Sequence, residues 1–173
     1  MVHTLFKALL ELEYVTVRFN FRGVGLSEGT HDTTAGEGDG ETEDMLAVTE
    51  AVRQQFQAQS NKLPLLLAGF SFGGAIAARA AQQLDANNKP QKLILVAPSV
   101  DRLHAPPVVE HAASILIIHG DQDDVVPLKT VLDWAAPQEL PVVVIPGGEH
   151  FFHGRLHILK RIVLESGGIK CSG

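Results

Sequence analysis

The sequence predicts an α/β protein, a mainly parallel sheet of about five strands with helices on both faces. Three observations carry that reading. Apolar runs of strand length alternate along the chain with stretches of helical periodicity. The runs are continuous, as in Leu93-Ile94-Leu95-Val96-Ala97 and Ile115-Leu116-Ile117-Ile118, which is how strands covered on both faces read. Loops rich in glycine or in ionisable residues follow several of them, and a parallel sheet gathers such loops at one edge.

Residues 2–12 place Val2, Leu5, Phe6, Leu9, Leu10 and Leu12 at helical spacing, with Lys7 and Glu11 on the other side. Tyr14-Val15-Thr16-Val17-Arg18-Phe19-Asn20-Phe21 is rich in β-formers and predicts a strand. A polar, acidic, Gly/Thr-rich loop runs from there to about Gly40. Met45, Leu46, Val48, Val52 and Phe56 restore helical spacing over Glu41–Gln59, with Glu41, Glu43 and Asp44 in the first turn where the helix dipole favours acids. Pro64 opens the next strand, Leu65-Leu66-Leu67-Ala68. An Ala-rich helix then runs to about Leu84, and Asn87-Asn88-Lys89-Pro90 is a turn. Strands follow at Leu93–Ala97, Ile115–Ile118 and Val142–Ile145, with helices at Leu128–Ala135 and Leu156–Leu164. No linker interrupts the series and no repeat is visible, so residues 1–173 are expected to form a single domain.

Bulk properties narrow the function. The chain has 173 residues, 45% of them hydrophobic and 20% charged, an ordinary globular balance. A formal net charge of −6 without any Lys/Arg-rich block argues against nucleic-acid and anionic-membrane partners. Apolar runs fall far short of the ~20 residues that a membrane helix needs. Lys7, Glu11 and Glu13 break up the first residues, so no secretory signal is read there. The single cysteine, Cys171, excludes an internal disulfide and fits a cytoplasmic setting. The eight histidines show no ligand spacing, so neither a metal nor another cofactor is expected.

Chemistry concentrates in three loops. Gly69-Phe70-Ser71-Phe72-Gly73 is a G-x-S-x-G pattern between an apolar strand and a helix, the setting in which a strained turn holds a serine hydroxyl clear of the sheet. His119-Gly120-Asp121-Gln122-Asp123-Asp124 follows the strand at Ile118, and Gly147-Gly148-Glu149-His150 follows the strand at Ile145. Serine, acid and histidine in that order form the sequence of a nucleophile–acid–base set. A serine hydroxyl needs a neutral imidazole to take its proton, and a buried carboxylate to orient that imidazole. Spacing alone leaves Asp121, Asp123 and Asp124 open as the acid. Two rival readings fare worse. Gly23 and Gly25 suggest a dinucleotide fingerprint, but its third glycine would fall on Glu28 and an acidic loop follows. Asp121-Gln122-Asp123 resembles a phosphatase D-x-D, but His119-Gly120 are expected to separate it from the strand, and Ser71 would be left without a role.

On these blocks, together with Arg18-Phe19-Asn20-Phe21-Arg22-Gly23-Val24-Gly25-Leu26-Ser27, the chain resembles the α/β-hydrolases, specifically small bacterial members similar to dienelactone hydrolases and carboxylesterases. The family's His-Gly-x-x-Asp-x-x-Val-Pro pattern falls on His119–Pro127 and implies Asp123 as the acid. Its Gly-x-x-His-Phe pattern implies His150 as the base. The resemblance implies Ser71 as nucleophile, the Phe72 N–H as one oxyanion donor, and a small-molecule ester or thioester as substrate. Phe70, Phe72, Phe151 and Phe152 are candidates to line the site, and His153 to contact substrate. The segment 98–114 leaves no room for the helical cap of larger members, which implies an open site. The family also places a strand between the Tyr14–Phe21 and serine strands, and a second oxyanion donor on an earlier loop. No such stretch precedes Tyr14, so a sheet lacking its N-terminal strands is expected. The alternative reading is a catalytically impaired fragment or a non-enzymatic interaction module of the same fold.

Overall fold

Continuous runs of Leu, Ile and Val have apolar side chains on both sides of a pleat and are stable only when both sides are covered. The computed structural model, which describes residues 1–31, 37–57 and 63–166, covers them in this way. Its elements are α1 (Val2–Glu11), α2 (Asp39–Gln57), β1 (Leu66–Phe70), α3 (Phe72–Gln83), β2 (Lys92–Val96), β3 (Ile115–Gly120), α4 (Leu128–Ala135), β4 (Val142–Ile145) and α5 (Leu156–Ser166). The four strands form one parallel sheet in the order β1-β2-β3-β4.

Alternate strand residues feed two cores. Leu93, Leu95 and Ile117 pack with Met45 of α2, the alanines of α3, and Val131 and Ala135 of α4. Ile94, Val96, Leu116 and Ile118 pack on the opposite face with Leu5, Ala8 and Leu9 of α1 and Leu159 and Val163 of α5. In α3, Ala75, Ala77, Ala78, Ala80 and Ala81 are fully buried. Their small side chains let the helix that follows Ser71 lie close on the sheet.

The expected strand at Tyr14–Phe21 is not formed. Residues 14–21 run extended but carry no ladder, and among the described residues the sheet has four strands rather than about five. A strand exists only through a neighbour to pair with, and sequence pattern reports the pleat but not the neighbour. The chain enters the sheet at β1 instead, which makes that apolar strand an edge. Two further differences are small. α2 begins at Asp39, earlier than expected, and residues 58–59 of its expected end lie outside the described residues, as does Cys171. β3 runs through His119 and Gly120, so these residues do not separate Asp121 from the strand.

After Phe21 the chain is pinned to α2. The Arg22 N–H donates to Asp44 Oδ2 at 2.9 Å, and its guanidinium reaches Asp44 Oδ1 at 2.8 Å. The segment 98–114 is tied down by the Trp134 indole N–H on the Ala105 carbonyl (3.0 Å) and by the Val108 N–H on Gln138 Oε1 (2.6 Å). The hydrogen bond from Arg22 holds the Asp44 carboxyl below its ordinary range. A depressed folded-state value gives stability that is present above the unfolded carboxylate pKa of ~3.9 and lost as pH falls through the folded value. Asp44→Asn is therefore expected to lower the urea midpoint at pH 7, with the gap to the unsubstituted chain closing below about pH 4. An unchanged gap in urea titrations at both pH values would contradict this account.

Candidate active site

The strand–turn–helix joint at Ser71 is built by close backbone approach. Ser71 sits at φ 52 and ψ −118, a region that costs a non-glycine residue about 1–3 kcal/mol. Hydrogen bonds on both its peptide groups hold it there. Its N–H donates to the Val96 carbonyl at 2.9 Å, and its carbonyl accepts from Gly74 (3.0 Å) and Ser99 (3.1 Å). A side chain at position 69 would overlap the Gly73 carbonyl, so strand and helix meet this closely only over glycine. Gly73 is different, since the nearest atom to a Cβ there would be the Phe21 ring at 3.9 Å. Only the first glycine of the pair is demanded by space.

A second close approach joins the acidic and histidine loops. A Cβ on Gly120 would overlap the Gly148 carbonyl, the Gln122 N–H donates to that same carbonyl at 2.9 Å, and the Gly147 N–H donates to Asp121 Oδ1 at 2.6 Å. Asp121 thus anchors the neighbouring loop, while Asp124 is exposed. Asp123 is buried, and its Oδ1 accepts from the Val125 and Val126 N–H groups at 2.9 and 2.8 Å. Its Oδ2 lies 2.8 Å from His150 Nδ1, and His150 Nε2 lies 3.0 Å from Ser71 Oγ. A carboxylate only accepts, so in the neutral ring Nδ1 carries the proton and Nε2 is free to take the serine's.

The surroundings divide the other candidates. The Phe70 ring lies 4.9 Å from that of His150, and the half-exposed Phe151 packs edge-on to His150 at 5.1 Å. Phe152, a candidate for the lining, is fully buried in the core beneath and does not line the site. His153 is turned outward onto Glu149 at 2.9 Å and packs beside Phe151. Two N–H donations, from His153 and Phe151, keep the Glu149 carboxyl below its ordinary range. His119 is buried, and desolvation pushes its pKa down. Its Nε2–H donates to the Val126 carbonyl at 2.9 Å, so it supports the loop that holds Asp123. Phe72 begins α3, and among the described residues its N–H has no backbone acceptor. Such a group at a helix N-terminus is suited to developing negative charge.

The sequence reading missed Ser99. Its hydroxyl lies 3.3 Å from Ser71 Oγ and its N–H holds the Ser71 carbonyl. The available signal was its position just past the Leu93–Ala97 run, at the edge where the other loops gather. His31 was also passed over. Its ring stands edge-on to Phe72 at 5.1 Å, with Nδ1 2.6 Å from the fully buried Glu41.

Comparison with known proteins places this geometry in context. Residues 1–116 match the family model described as serine aminopeptidase, S33. An uncharacterized protein of Rickettsia prowazekii (strain Madrid E) is 30% identical over 163 residues, covering 88% of this chain and 64% of the relative. An alpha-beta serine hydrolase homologue from Coxiella burnetii is 42% identical with a TM-score of 0.81, covering 95% of this chain and 74% of that one. An α/β serine hydrolase without lid from Xanthomonas campestris is 39% identical with a TM-score of 0.77, covering 95% of this chain and 70% of that one. This chain therefore spans 64% of the length of the curated relative.

The loop crossing at Gly120 gives a prediction. Gly120→Ala sets a methyl group against backbone that cannot rotate away, and overpacking of this kind costs about 1–3 kcal/mol. A lowered melting temperature is expected, together with a longer Asp123–His150 separation in a crystal structure. Unchanged stability would show that the crossing relaxes freely.

Proposed function

The chain belongs to the serine aminopeptidase (S33) family of α/β-hydrolases, and from that membership we propose that it is a serine hydrolase cleaving carboxylic ester or thioester bonds of small substrates. The observation that carries the proposal is the position of the His150 imidazole, 3.0 Å from Ser71 Oγ and 2.8 Å from Asp123. In the proposed reaction Ser71 Oγ attacks the substrate carbonyl carbon while its proton passes to His150 Nε2. Asp123 holds the ring in the required tautomer and stabilises the imidazolium. The carbonyl oxygen gains the negative charge and takes the Phe72 N–H, a contact of the kind worth ~10²–10³ in rate. His150 then protonates the leaving alcohol or thiol as the C–O or C–S bond breaks, leaving Ser71 acylated. A water molecule, deprotonated by the same imidazole, releases the acid and restores the serine.

Ester and thioester substrates suit this arrangement because their leaving groups ask less of the acid than an amide does. The rings of Phe70 and Phe151, 5.9 Å apart and each in contact with that of His150, support a small apolar acyl or alcohol group at that wall. No helix among the described residues is long and apolar enough to cross a membrane, so the substrate is proposed to reach an open site from solution.

A fluorophosphonate probe tests the nucleophile directly. Labelling is expected at Ser71 and absent in Ser71→Ala. Hydrolysis of p-nitrophenyl acetate should fall roughly 10³-fold or more in Ser71→Ala and His150→Ala. Labelling that survives Ser71→Ala would overturn the assignment. Folded protein that neither labels nor cleaves the ester would favour the non-enzymatic reading.

A further inference from the structure

Ser99 meets the turn at Ser71 twice, once through its backbone and once through its side chain. Its N–H donates to the Ser71 carbonyl at 3.1 Å, a bond that any residue except proline would supply. Its hydroxyl lies 3.3 Å from Ser71 Oγ, a contact that needs this side chain. The segment that carries it is tightly constrained. Ala97, just after β2, stands at φ 43, in the left-handed region that favours glycine. The Ala97 N–H is fixed on the Ile118 carbonyl at 2.9 Å. Pro98 is buried so close to α3 that a Cβ on Gly74 would meet it at 3.1 Å. Two strained turns, at Ser71 and at Ala97, are thus locked together and bring two hydroxyls into contact. Strain of this kind clusters at functional sites.

Counting protons gives the contact a direction. Asp123 only accepts, so His150 Nδ1 carries the ring proton and Nε2 accepts from the Ser71 hydroxyl. A hydroxyl has one proton, so Ser71 has none left for Ser99, and Ser99 is the donor. Among the described residues the Ser99 hydroxyl has no other hydrogen-bond partner.

We propose that Ser99 is a further catalytic residue, whose hydroxyl stabilises the negative charge on Ser71 Oγ as the proton moves to and from His150. This role rests on the serine hydrolase reading. At 3.3 Å the bond is longer than the roughly 2.5–3.0 Å of an ordinary O–H···O contact, so it does little for the resting site. A donor that faces developing charge makes a shorter, stronger bond. An interaction stronger in the transition state than in the ground state is the kind that raises a rate. In acylation the Oγ–H bond breaks toward Nε2 as the bond to the carbonyl carbon forms. In deacylation the C–Oγ bond breaks, its electron pair returns to Oγ, and the proton comes back from His150. Ser99 keeps its own proton throughout and meets the same oxygen at both steps.

The test uses the full chain and separates the hydroxyl from the backbone. Ser99→Ala deletes one oxygen and keeps the N–H on the Ser71 carbonyl, so the turn survives. The second-order rate constant for fluorophosphonate labelling at Ser71 is expected to fall about tenfold or more. A similar loss is expected in kcat/KM for p-nitrophenyl acetate, with an unchanged melting temperature. Ser99→Thr, which restores a hydroxyl, should recover most of the loss in both. Equal rates in Ser99→Ala and the unsubstituted chain would overturn this role alone and leave the nucleophile assignment standing. A folded Ser99→Thr as slow as Ser99→Ala would also overturn it, since the loss would then belong to packing. An unsubstituted chain that does not label at Ser71 would sink the underlying reaction, and this role with it. Should Ser99→Thr fail to fold, Ser99→Ala decides alone.

Discussion

Every strand of this sheet runs in the same direction, so whatever their carboxyl ends carry must meet along one edge. That single constraint brings together groups separated by 79 positions in the chain, the span between Ser71 and His150. It also explains why the contacts that matter most are between backbones. The Ser71 N–H is held by the last residue of β2, and the Ala97 N–H by Ile118 of β3. The loop after β3 crosses the loop after β4 over Gly120 and Gly148. Each joint passes the register of one strand to the next. The hydroxyl of Ser71 is thus placed against the imidazole by the ladder as much as by its own turn.

The electrostatics follow the same economy. Among the described residues no arginine or lysine forms an ion pair with Asp123; its carboxylate is met by two backbone N–H groups and the ring of His150. Backbone donors stabilise a buried charge without a second charge to desolvate, and they do not wander as a long side chain does. His119 sits 3.7 Å from the same carboxylate, and desolvation disfavours its charged form. A cationic His119 would compete with His150 for Asp123. Kept neutral, it serves only as the donor to Val126, whose own N–H is one of the two that hold the acid.

What the residues disclose in advance divides along the same line. The bounds of α4 and β4 follow directly from local pattern, because apolar periodicity is a local signal of burial. The order of serine, acid and histidine is also legible, since parallel topology fixes where the loops must go. Which of the three aspartates meets His150 took more than spacing to decide. Asp121 and Asp124 differ from Asp123 only in which way the loop turns, and that turn is set by Val125, Val126 and the crossing at Gly148. Ser99 and the Arg22–Asp44 pair were invisible for a related reason, as each is a contact between elements and leaves no periodic trace. Tyr14–Phe21 shows the converse. Its β-forming composition is real and its backbone is extended, but pairing belongs to two segments at once.

That extended segment bears on the site through β1. One strand touches both: its amino-terminal half lines a groove with residues 14–17, and its carboxyl end carries the strained serine. On the β2 side the strand is held by a full parallel ladder, and among the described residues no ladder forms on its other side. A conformation that costs about 1–3 kcal/mol persists only where its surroundings over-determine it. For Ser71 those surroundings include β2, α3 and Ser99. Phe70 closes β1 one residue before the serine, and it pairs with Val96 across the ladder. The ring of Phe70 rests against His150. The β2 ladder and the geometry between Ser71 and His150 therefore share one residue, and the stiffness of β1 is the physical link between them.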